Sequence, residues 1–263
     1  MLFPVDRWTP SEITTFLIRE HPGVWSEAHG FENPPHIREW YDLEVGEDRL
    51  AVAAPRESAK SEVFSVVSTL HYAERWPGSW QLIYRSNFDL GKEMLDRIMA
   101  GAATMAPQLV GEVFRDDSRD KVLANYSRIQ VAGTGAKRRG LHPDRIVGDD
   151  VLDDDNTATE RQRRKVESWW FGTVSGMPHG WLPRTLGWGY LRRNPPTVWV
   201  PPTRIRLVGT PFHEQDLLMG MRHKRLWRFV RYEAEFETVL PGSLAVEDTG
   251  RKVEEWETGI QAR

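Results

Sequence analysis

The amino-acid sequence predicts an α/β fold, with a mostly parallel sheet covered by helices on both faces. From Leu50 onward, short apolar runs rich in β-branched residues alternate with helical patterns, the arrangement of a sheet between two helical layers. Polar pairs then follow two of these runs, Lys60-Ser61 after the first and Asp149-Asp150 after the fourth. Ligand sites in open α/β sheets lie outside the carboxyl ends of the strands, so both pairs are candidate site residues.

The individual elements follow from the same patterns. A helix is predicted from about Ser11 to Glu20, with Thr9 or Ser11 as its cap, and a short helix ends near Gly46. Predicted strands lie near residues 50–54, 80–86, 127–132, 145–149, 204–209 and 227–234, and helices near 60–73, 89–101, 157–171 and 214–222. Glycine, alanine and proline between residues 101 and 126 indicate a loop or a broken helix.

These elements divide the chain into three parts. Residues 1–49 form an N-terminal helical segment, and residues 50–240 form the core. The core contains an insertion near 172–203 that is rich in Gly, Pro and Trp and lacks clear periodicity. Contact with DNA or a neighbouring subunit is an open alternative for its Trp181, Trp188 and Trp199, but we expect half-buried packing. Residues 241–263 are expected to be a polar C-terminal tail or a linker toward an absent nuclease domain.

Composition excludes several classes of protein. The 263 residues include no cysteine, so disulfides and thiolate metal sites are excluded. The histidines lack metal-ligand spacing such as H-E-x-x-H, and no apolar run approaches the roughly 18 residues of a membrane span. The formal net charge of −3 argues against a uniformly basic nucleic-acid binder. DNA contact would require local basic clusters, each of which could equally be a solvated helix face; these are 137–139, 161–165, 192–193 and 222–225.

The segment AVAAPRESAKS, residues 51–61, aligns with the phosphate-binding pattern G-x-x-x-x-G-K-[ST]. Ala54 and Ala59 occupy the glycine positions, and Lys60 and Ser61 match. In such a strand–loop–helix turn, backbone N–H groups point at a phosphate chain, the lysine reaches the β/γ-phosphates and the hydroxyl binds Mg²⁺. A strand running into a helix with a surface Lys-Ser is the alternative.

The segment RIVGDD, residues 145–150, predicts a short buried strand that delivers two carboxylates at its C-terminal end. An acidic residue at this place coordinates Mg²⁺ in P-loop NTPases, and a neighbouring one can activate the attacking water. Asp153-Asp154-Asp155 follow, so a solvated acidic turn is the alternative. The order of loop lysine and then strand aspartates favours nucleotide hydrolysis.

The third segment, RIRLVGTPFHEQDLL at 204–218, predicts a strand that ends at Gly209-Thr210-Pro211 before an amphipathic helix. Together the three segments resemble the ATPase domain of the large terminase subunit of tailed bacteriophages, over about residues 31–232. The VGTPFH-x-x-DLL part is the most specific. The resemblance implies a P-loop NTPase of the RecA/ASCE type that hydrolyses ATP with Mg²⁺ and moves double-stranded viral DNA into a procapsid.

The resemblance also implies roles for individual residues. The loop of Pro55, Arg56, Glu57, Ser58, Ala59, Lys60 and Ser61 would bind ATP, with Ser61 and Asp149 as Mg²⁺ ligands. Asp150 stands where the family commonly has a catalytic glutamate and is one methylene shorter, with Asp153 as the only nearby substitute. Arg56 would contact phosphate, its alternative being helix capping or a surface ion pair with Glu57 or Glu62.

Three further expectations depend on the resemblance. Arg139, or next Arg138, matches an arginine that reaches a neighbour's nucleotide in a ring, although a basic loop facing DNA or solvent is the alternative. Thr210 matches a motif that couples hydrolysis to DNA movement. Phe31, Ile37 and Trp40 would provide an apolar or stacking wall for adenine.

The expected partners are non-sequence-specific double-stranded DNA, further copies of the chain in a ring, the portal protein and the small terminase subunit, in the host-cell cytoplasm. We expect no membrane contact. The polar tail is too short for a nuclease domain, so we expect no DNA cleavage. A nucleotide-sensing or DNA-docking module without turnover, or another P-loop motor such as a helicase, are the competing hypotheses.

Overall fold

The computed structural model describes residues 8–111, 113–136, 138, 140–187 and 195–233, together with the backbone of 235–236 and 260–261. Its helices are α1 (Pro10–Glu20), α2 (Pro22–Ala28), α3 (Pro35–Gly46), α4 (Ser68–Arg75), α5 (Phe88–Met105), α6 (Asp154–Thr157), α7 (Glu160–Thr173) and α8 (Leu217–Gly220). A π-helical turn, Glu62–Val67, leads directly into α4. Short 3₁₀ turns lie at Pro107–Leu109, Val174–Gly176 and Met221–His223.

The strands are β1 (Arg49–Ala53), β2 (Trp80–Arg85), β3 (Arg115–Asp117), β4 (Asp120–Val122), β5 (Arg128–Gly133), β6 (Arg145–Asp149), β7 (Leu182–Thr185), β8 (Thr197–Val200), β9 (Arg204–Gly209), β10 (Arg228–Arg231), β11 (Glu235–Phe236) and β12 (Ile260–Gln261). Eight of them form one sheet in the order β10-β1-β9-β6-β2-β5-β4-β3. The first six strands in this order are parallel, and β4 and β3 add an antiparallel edge.

This order confirms the predicted α/β class and places the candidate site. Strand β9 lies between β1, which precedes the lysine loop, and β6, which precedes the aspartates. Ala53 is opposite Gly209, and Asp149 is opposite Val208. Because parallel strands end at the same sheet edge, these three strand ends meet there, as the sequence predicted.

Both faces of the sheet are covered. Leu50 and Val52 point into a core shared with α3, α4 and α5, whereas Ala51 and Ala53 point into a second core formed with α7 and α8. This alternation is the period-two pattern of a strand buried on both sides.

A buried ion cluster ties the N-terminal helices to the sheet. Glu44 of α3 is bound by Arg145 of β6 and Arg206 of β9, and all three side chains are buried. Although burial acts to raise the pKa of Glu44, the two arginines hold it below its ordinary value. Removing one partner from such a buried cluster would leave an uncompensated charge, so it fixes α3 against the start of these strands.

Three regions depart from the sequence expectations. Residues 101–126, expected to be a loop or broken helix, contain the end of α5 and the β3–β4 hairpin. The insertion near 172–203 contains the antiparallel pair β7–β8, so it is more regular than its composition suggested. The predicted helix at 214–222 is the short α8 followed by a 3₁₀ turn. Residues 241–259 of the expected tail lie outside the described residues.

No helix in the described part of the chain combines the length and apolar character that crossing a membrane requires.

Candidate active site

The loop from Pro55 to Ser61 has an unusual backbone. Glu57 and Ala59 have φ angles of 63° and 62°, in the left-handed region that favours glycine. Ala59 is one of the two positions where the phosphate-binding pattern has glycine. Its positive φ explains why the pattern has glycine there. Ala54, at the other glycine position, is buried and has no positive φ.

Lys60 is held inside the site. Its ammonium group donates to the carbonyl oxygen of Pro55 and lies 3.3 Å from Ser58 Oγ and 3.4 Å from Thr210 Oγ1. Only 5% of the residue is exposed. Burial lowers the pKa of Lys60, and the nearby Asp150 and Asp149 oppose that shift. A surface lysine, the alternative left open by the sequence, is therefore excluded.

The carboxylate of Asp149 joins the loop helix to the sheet. Ser61 Oγ donates to Oδ1 at 3.0 Å and Ser65 Oγ donates to Oδ2 at 2.6 Å. Asp149 is completely buried. Burial raises the pKa of its carboxyl, while the Arg85 guanidinium opposes this shift. Asp149 is thus an interior carboxylate rather than part of a solvated turn.

Arg85, at the carboxyl end of β2, is a site residue that the sequence analysis missed. Its Nη1 lies 2.9 Å from Asp149 Oδ2, 3.8 Å from Asp150 Oδ2 and 3.4 Å from Ser61 Oγ. A signal was available, since an arginine ends the apolar strand WQLIYR. The sequence analysis did not predict that β2 and β6 are neighbours in the sheet.

Asp150 also lies in the site, but its carboxylate is engaged. Its Oδ1 accepts from the Thr210 backbone N–H at 3.3 Å, and its φ is 47°. A Cβ on Gly209 would lie 3.1 Å from the same oxygen, so glycine leaves room for it. The possible substitute, Asp153, accepts from Asn156 N at 2.8 Å as the cap of α6 and does not line this cleft.

Arg56 lies over Phe212, with its guanidinium carbon 5.9 Å from the ring centroid. The alternative ion pair with Glu57 or Glu62 is not among the salt bridges of the described residues, and Glu62 instead binds Arg97 at 2.5 Å. Phe212, in the segment after β9, was not predicted as a site residue. The guanidinium of Arg56 therefore faces the cleft without a carboxylate partner in the described chain.

One open cleft of about 660 Å³ is lined by the side chains of Lys60, Ser61, Arg85 and Asp150, a size typical of small-molecule sites. Asp149 does not line it, because this residue is completely buried behind its bond to Ser61. A second cleft of about 720 Å³ adjoins the first, sharing Ala59 and Glu62, and is lined by Phe31, Ile37 and Tyr41. Trp40, expected beside Phe31 and Ile37, is instead fully buried and packs against Phe64 and Tyr232. The proposed apolar wall thus lies next to the loop, without Trp40.

The donor atoms in the first cleft suit magnesium. Ser61 and Asp149 supply a hydroxyl and a carboxylate oxygen already in contact, which are the hard ligands that Mg²⁺ prefers. Among the described residues, no group of three or more His, Cys, Asp or Glu could form an all-protein cage. Mg²⁺ is commonly bound by one or two carboxylates together with substrate phosphates, so the residues present fit that mode.

The remaining predicted contacts concern the arginine finger and the basic clusters. Arg139 and Lys137 lie outside the described residues, so the finger hypothesis stays a prediction. Several basic cluster residues are neutralised by acidic neighbours: Arg164 by Glu160, Lys224 by Glu167 and Arg222 by Glu214.

The expectation of half-buried packing is wrong for two of the insertion's tryptophans. Trp181 and Trp199 are 59% and 61% exposed. Trp181 nevertheless contacts the Trp76 ring edge to face, with 6.2 Å between centroids. Trp188 lies outside the described residues.

Comparison with known proteins gives structural neighbours but no sequence relatives. No family model matches the chain, and no curated protein matches it. Among solved structures, the large terminase ATPase domain of Thermus phage P74-26 is 14% identical with a TM-score of 0.44, over 70% of this chain and 67% of that one. A point mutant of that domain gives 13% and 0.43, over 70% and 68%. The HK97 bacteriophage large terminase is 14% identical with a TM-score of 0.48, over 79% of this chain and 41% of that one. All three are proteins of the kind that the sequence segments resemble.

Proposed function

We propose that this chain is a magnesium-dependent ATPase domain that drives translocation of double-stranded DNA, as in a phage packaging motor. The observation that carries the proposal is the convergence of Lys60, Ser61 and Thr210 in one cleft, with the buried Asp149 bonded to Ser61. These residues come from segments up to 150 positions apart in the chain, and each has the chemistry that phosphoryl transfer requires of its position.

The chemistry follows from the positions of the groups. Bound Mg²⁺ would be held by Ser61 and Asp149 and would supply charge neutralisation at the β- and γ-phosphates. Lys60 is already oriented by Pro55 and Thr210 and would exchange these weak acceptors for phosphate oxygens. Asp150 also lines this cleft and would orient or deprotonate the attacking water. The Arg56 guanidinium would contact phosphate, and the second cleft would receive the nucleoside.

ATP binding and steady-state hydrolysis test this function. Lys60→Ala should weaken ATP binding by about 10- to 100-fold, the effect of losing a charge-assisted hydrogen bond of about 1.5–3 kcal/mol, and should reduce turnover to background. Asp149→Asn should abolish the Mg²⁺-dependent turnover. Lys121→Ala is the matched control, because this lysine pairs with Asp116 in the β3–β4 hairpin. Equal ATP binding by Lys60→Ala and the control would refute the proposal.

Turnover distinguishes the motor from its main alternative. Tight binding of ATP by the wild type without hydrolysis, at high protein concentration and with DNA present, would favour a nucleotide-sensing module. The observation that favours this second function is that Asp150 Oδ1 already accepts from the Thr210 backbone N–H, which leaves only Oδ2 to accept a proton from water.

The ring arrangement is a separate part of the proposal. If Arg139 acts on a neighbour's nucleotide, specific activity should rise with protein concentration. Mixing inactive Lys60→Ala protein, which keeps the arginine, with inactive Arg139→Ala protein, which keeps the loop, should restore activity. Concentration-independent activity that survives Arg139→Ala would exclude this role.

DNA is proposed as a backbone-contacted partner, with the portal protein and small terminase subunit proposed from the resemblance alone. A packaging motor must accept any sequence, so binding should be sequence-independent and should weaken steeply with salt.

A further inference from the structure

Arg85 occupies the place from which a cation would contact the paired aspartates. Its Nη1 is within 2.9 Å of Asp149, 3.4 Å of Ser61 and 3.8 Å of Asp150. The side chain is 14% exposed and lines the cleft beside the loop. The guanidinium thus contacts Ser61 Oγ and the Oδ2 atom of the carboxylate whose Oδ1 touches Ser61, which are the two groups proposed to bind Mg²⁺.

A guanidinium and a divalent cation on the same carboxylate and hydroxyl would lie within a few ångströms of each other and repel, strongly so away from water. A buried carboxylate is costly without a positive partner, and Arg85 is the cation that meets Asp149 in the described chain. A divalent ion that coordinates Asp149 would have to move the guanidinium away. Arg85 then needs a closer anion, because the other carboxylate near it, Asp150, is 3.8 Å away and accepts from the Thr210 backbone N–H through its Oδ1.

Phosphate provides such an anion. Guanidinium groups bind phosphate oxygens through paired hydrogen bonds, and Arg85 has donors to spare. Its Nε is buried and has no acceptor among the described residues. A phosphate chain in the cleft would therefore satisfy Arg85 and release Asp149 in one step.

We propose that Arg85 is a displaceable positioning residue that blocks Asp149 from divalent metal until phosphate arrives. Metal is then admitted only together with nucleotide. This inference rests on the proposed function, since it takes Asp149 as the metal-binding carboxylate.

Thermal unfolding without nucleotide, with and without millimolar Mg²⁺, tests the inference directly. The wild-type Tm should not respond to Mg²⁺. Arg85→Gln should lower the Tm by roughly 5 °C or more, because it leaves a buried carboxylate unpaired, and Mg²⁺ should restore most of the loss. Titration calorimetry should show Mg²⁺ binding to this variant at least about tenfold more tightly than to the wild type. Adding Asp149→Asn to Arg85→Gln should remove both the recovery of Tm by Mg²⁺ and the tighter Mg²⁺ binding.

The matched control is Arg128→Gln. Arg128 also binds a buried carboxylate, Asp120, at 2.6 Å, but at the start of β5, remote from the cleft edge. This variant should lose stability that Mg²⁺ does not restore. The same Mg²⁺ response in wild type, Arg85→Gln and the control would overturn the inference.

Arg85→Lys is the reserve variant if Arg85→Gln does not fold, and ATP binding checks the proposed function separately. If Arg85→Gln folds only with Mg²⁺, the inference stands, and if it folds in neither condition, Arg85→Lys is measured in the same way. A Mg²⁺ response no larger than that of the wild type would then overturn it. The proposed function fails separately if the wild-type protein binds ATP no more tightly than Lys60→Ala does.

Discussion

Glycine substitution at Ala59 and Ala54 measures the strain in the loop. Both alanines stand at glycine positions of the phosphate-binding pattern, yet only Ala59 has a positive φ, 62°. A residue with a Cβ in the left-handed region costs about 1–2 kcal/mol. Glycine does not pay this cost, so Ala59→Gly relieves it and Ala54→Gly has nothing to relieve.

Two further effects set the size of the expected stability changes: the entropy of the unfolded chain and the loss of a buried methyl group. Each substitution lowers stability by about 0.5–1 kcal/mol through the added freedom of the unfolded chain. Loss of a buried methyl adds about 0.8 kcal/mol at Ala54, which is 1% exposed, and less at the half-buried Ala59. Ala54→Gly should therefore destabilise by about 1.5 kcal/mol. Ala59→Gly should stay within about 0.5 kcal/mol of the wild type, because the relieved strain offsets the other terms.

Urea denaturation of the two variants and the wild type gives this difference directly. We expect Ala59→Gly to be the more stable variant by about 1–2 kcal/mol, or by roughly 2–8 °C in Tm for a chain of this size. Equal destabilisation by the two substitutions would refute the reasoning, since it would mean that the loop backbone is not strained at Ala59.

Other predictions concern the rest of the fold. Burial lowers the pKa of His71 to about 4, against about 6.5 in the unfolded chain, so the unfolded state binds the proton first and stability falls as the pH drops from about 6.5 toward 4. Between pH 7.5 and pH 5.0, urea midpoints should show the wild type losing about 2 kcal/mol more than His71→Gln, and parallel losses would contradict this. Gly148→Ala should destabilise by about 1–3 kcal/mol, because its Cβ would lie 2.7 Å from the Trp170 ring. Gly172→Ala on the exposed side of α7 meets no atom within 4 Å and should stabilise by up to about 1 kcal/mol; thermal unfolding of both variants would show opposite signs, and a shared sign would count against this packing.

The parallel strands could be predicted because their signals are local. Runs such as Arg145–Asp149 and Arg204–Gly209 combine buried β-branched residues with a following polar break. The β3–β4 hairpin has no such signal, because its strands RDD and DKV are short and charged. Salt bridges from Arg128 and Arg115 to Asp120 hold it instead. Such ion pairs produce no periodic hydrophobic pattern in the sequence.

Some residues of the candidate site could likewise be predicted from local signals in the sequence, and others could not. The sequence predicted Lys60, Asp149 and Thr210 because each follows a recognisable strand or loop, and the carboxyl ends of parallel strands meet. It did not predict Arg85 or Ser65, whose importance depends on which strands are neighbours and on where the helix after the loop turns. Ser65 lies in the π-helical turn that contacts Asp149, and π turns occur frequently at functional sites.

Backbone strain points to the same cleft independently of any motif. In the described chain, four non-glycine residues have a positive φ, and three of them, Glu57, Ala59 and Asp150, line this cleft. Such conformations persist only where surrounding structure over-determines them. Here Ala54 N donates to Gly209 O at 3.1 Å and Asp150 N donates to Val208 O at 2.9 Å, so strand β9 fixes both strained segments from between them. Because Thr210 directly follows β9, a ligand that shifts either segment would act on the strand that holds both.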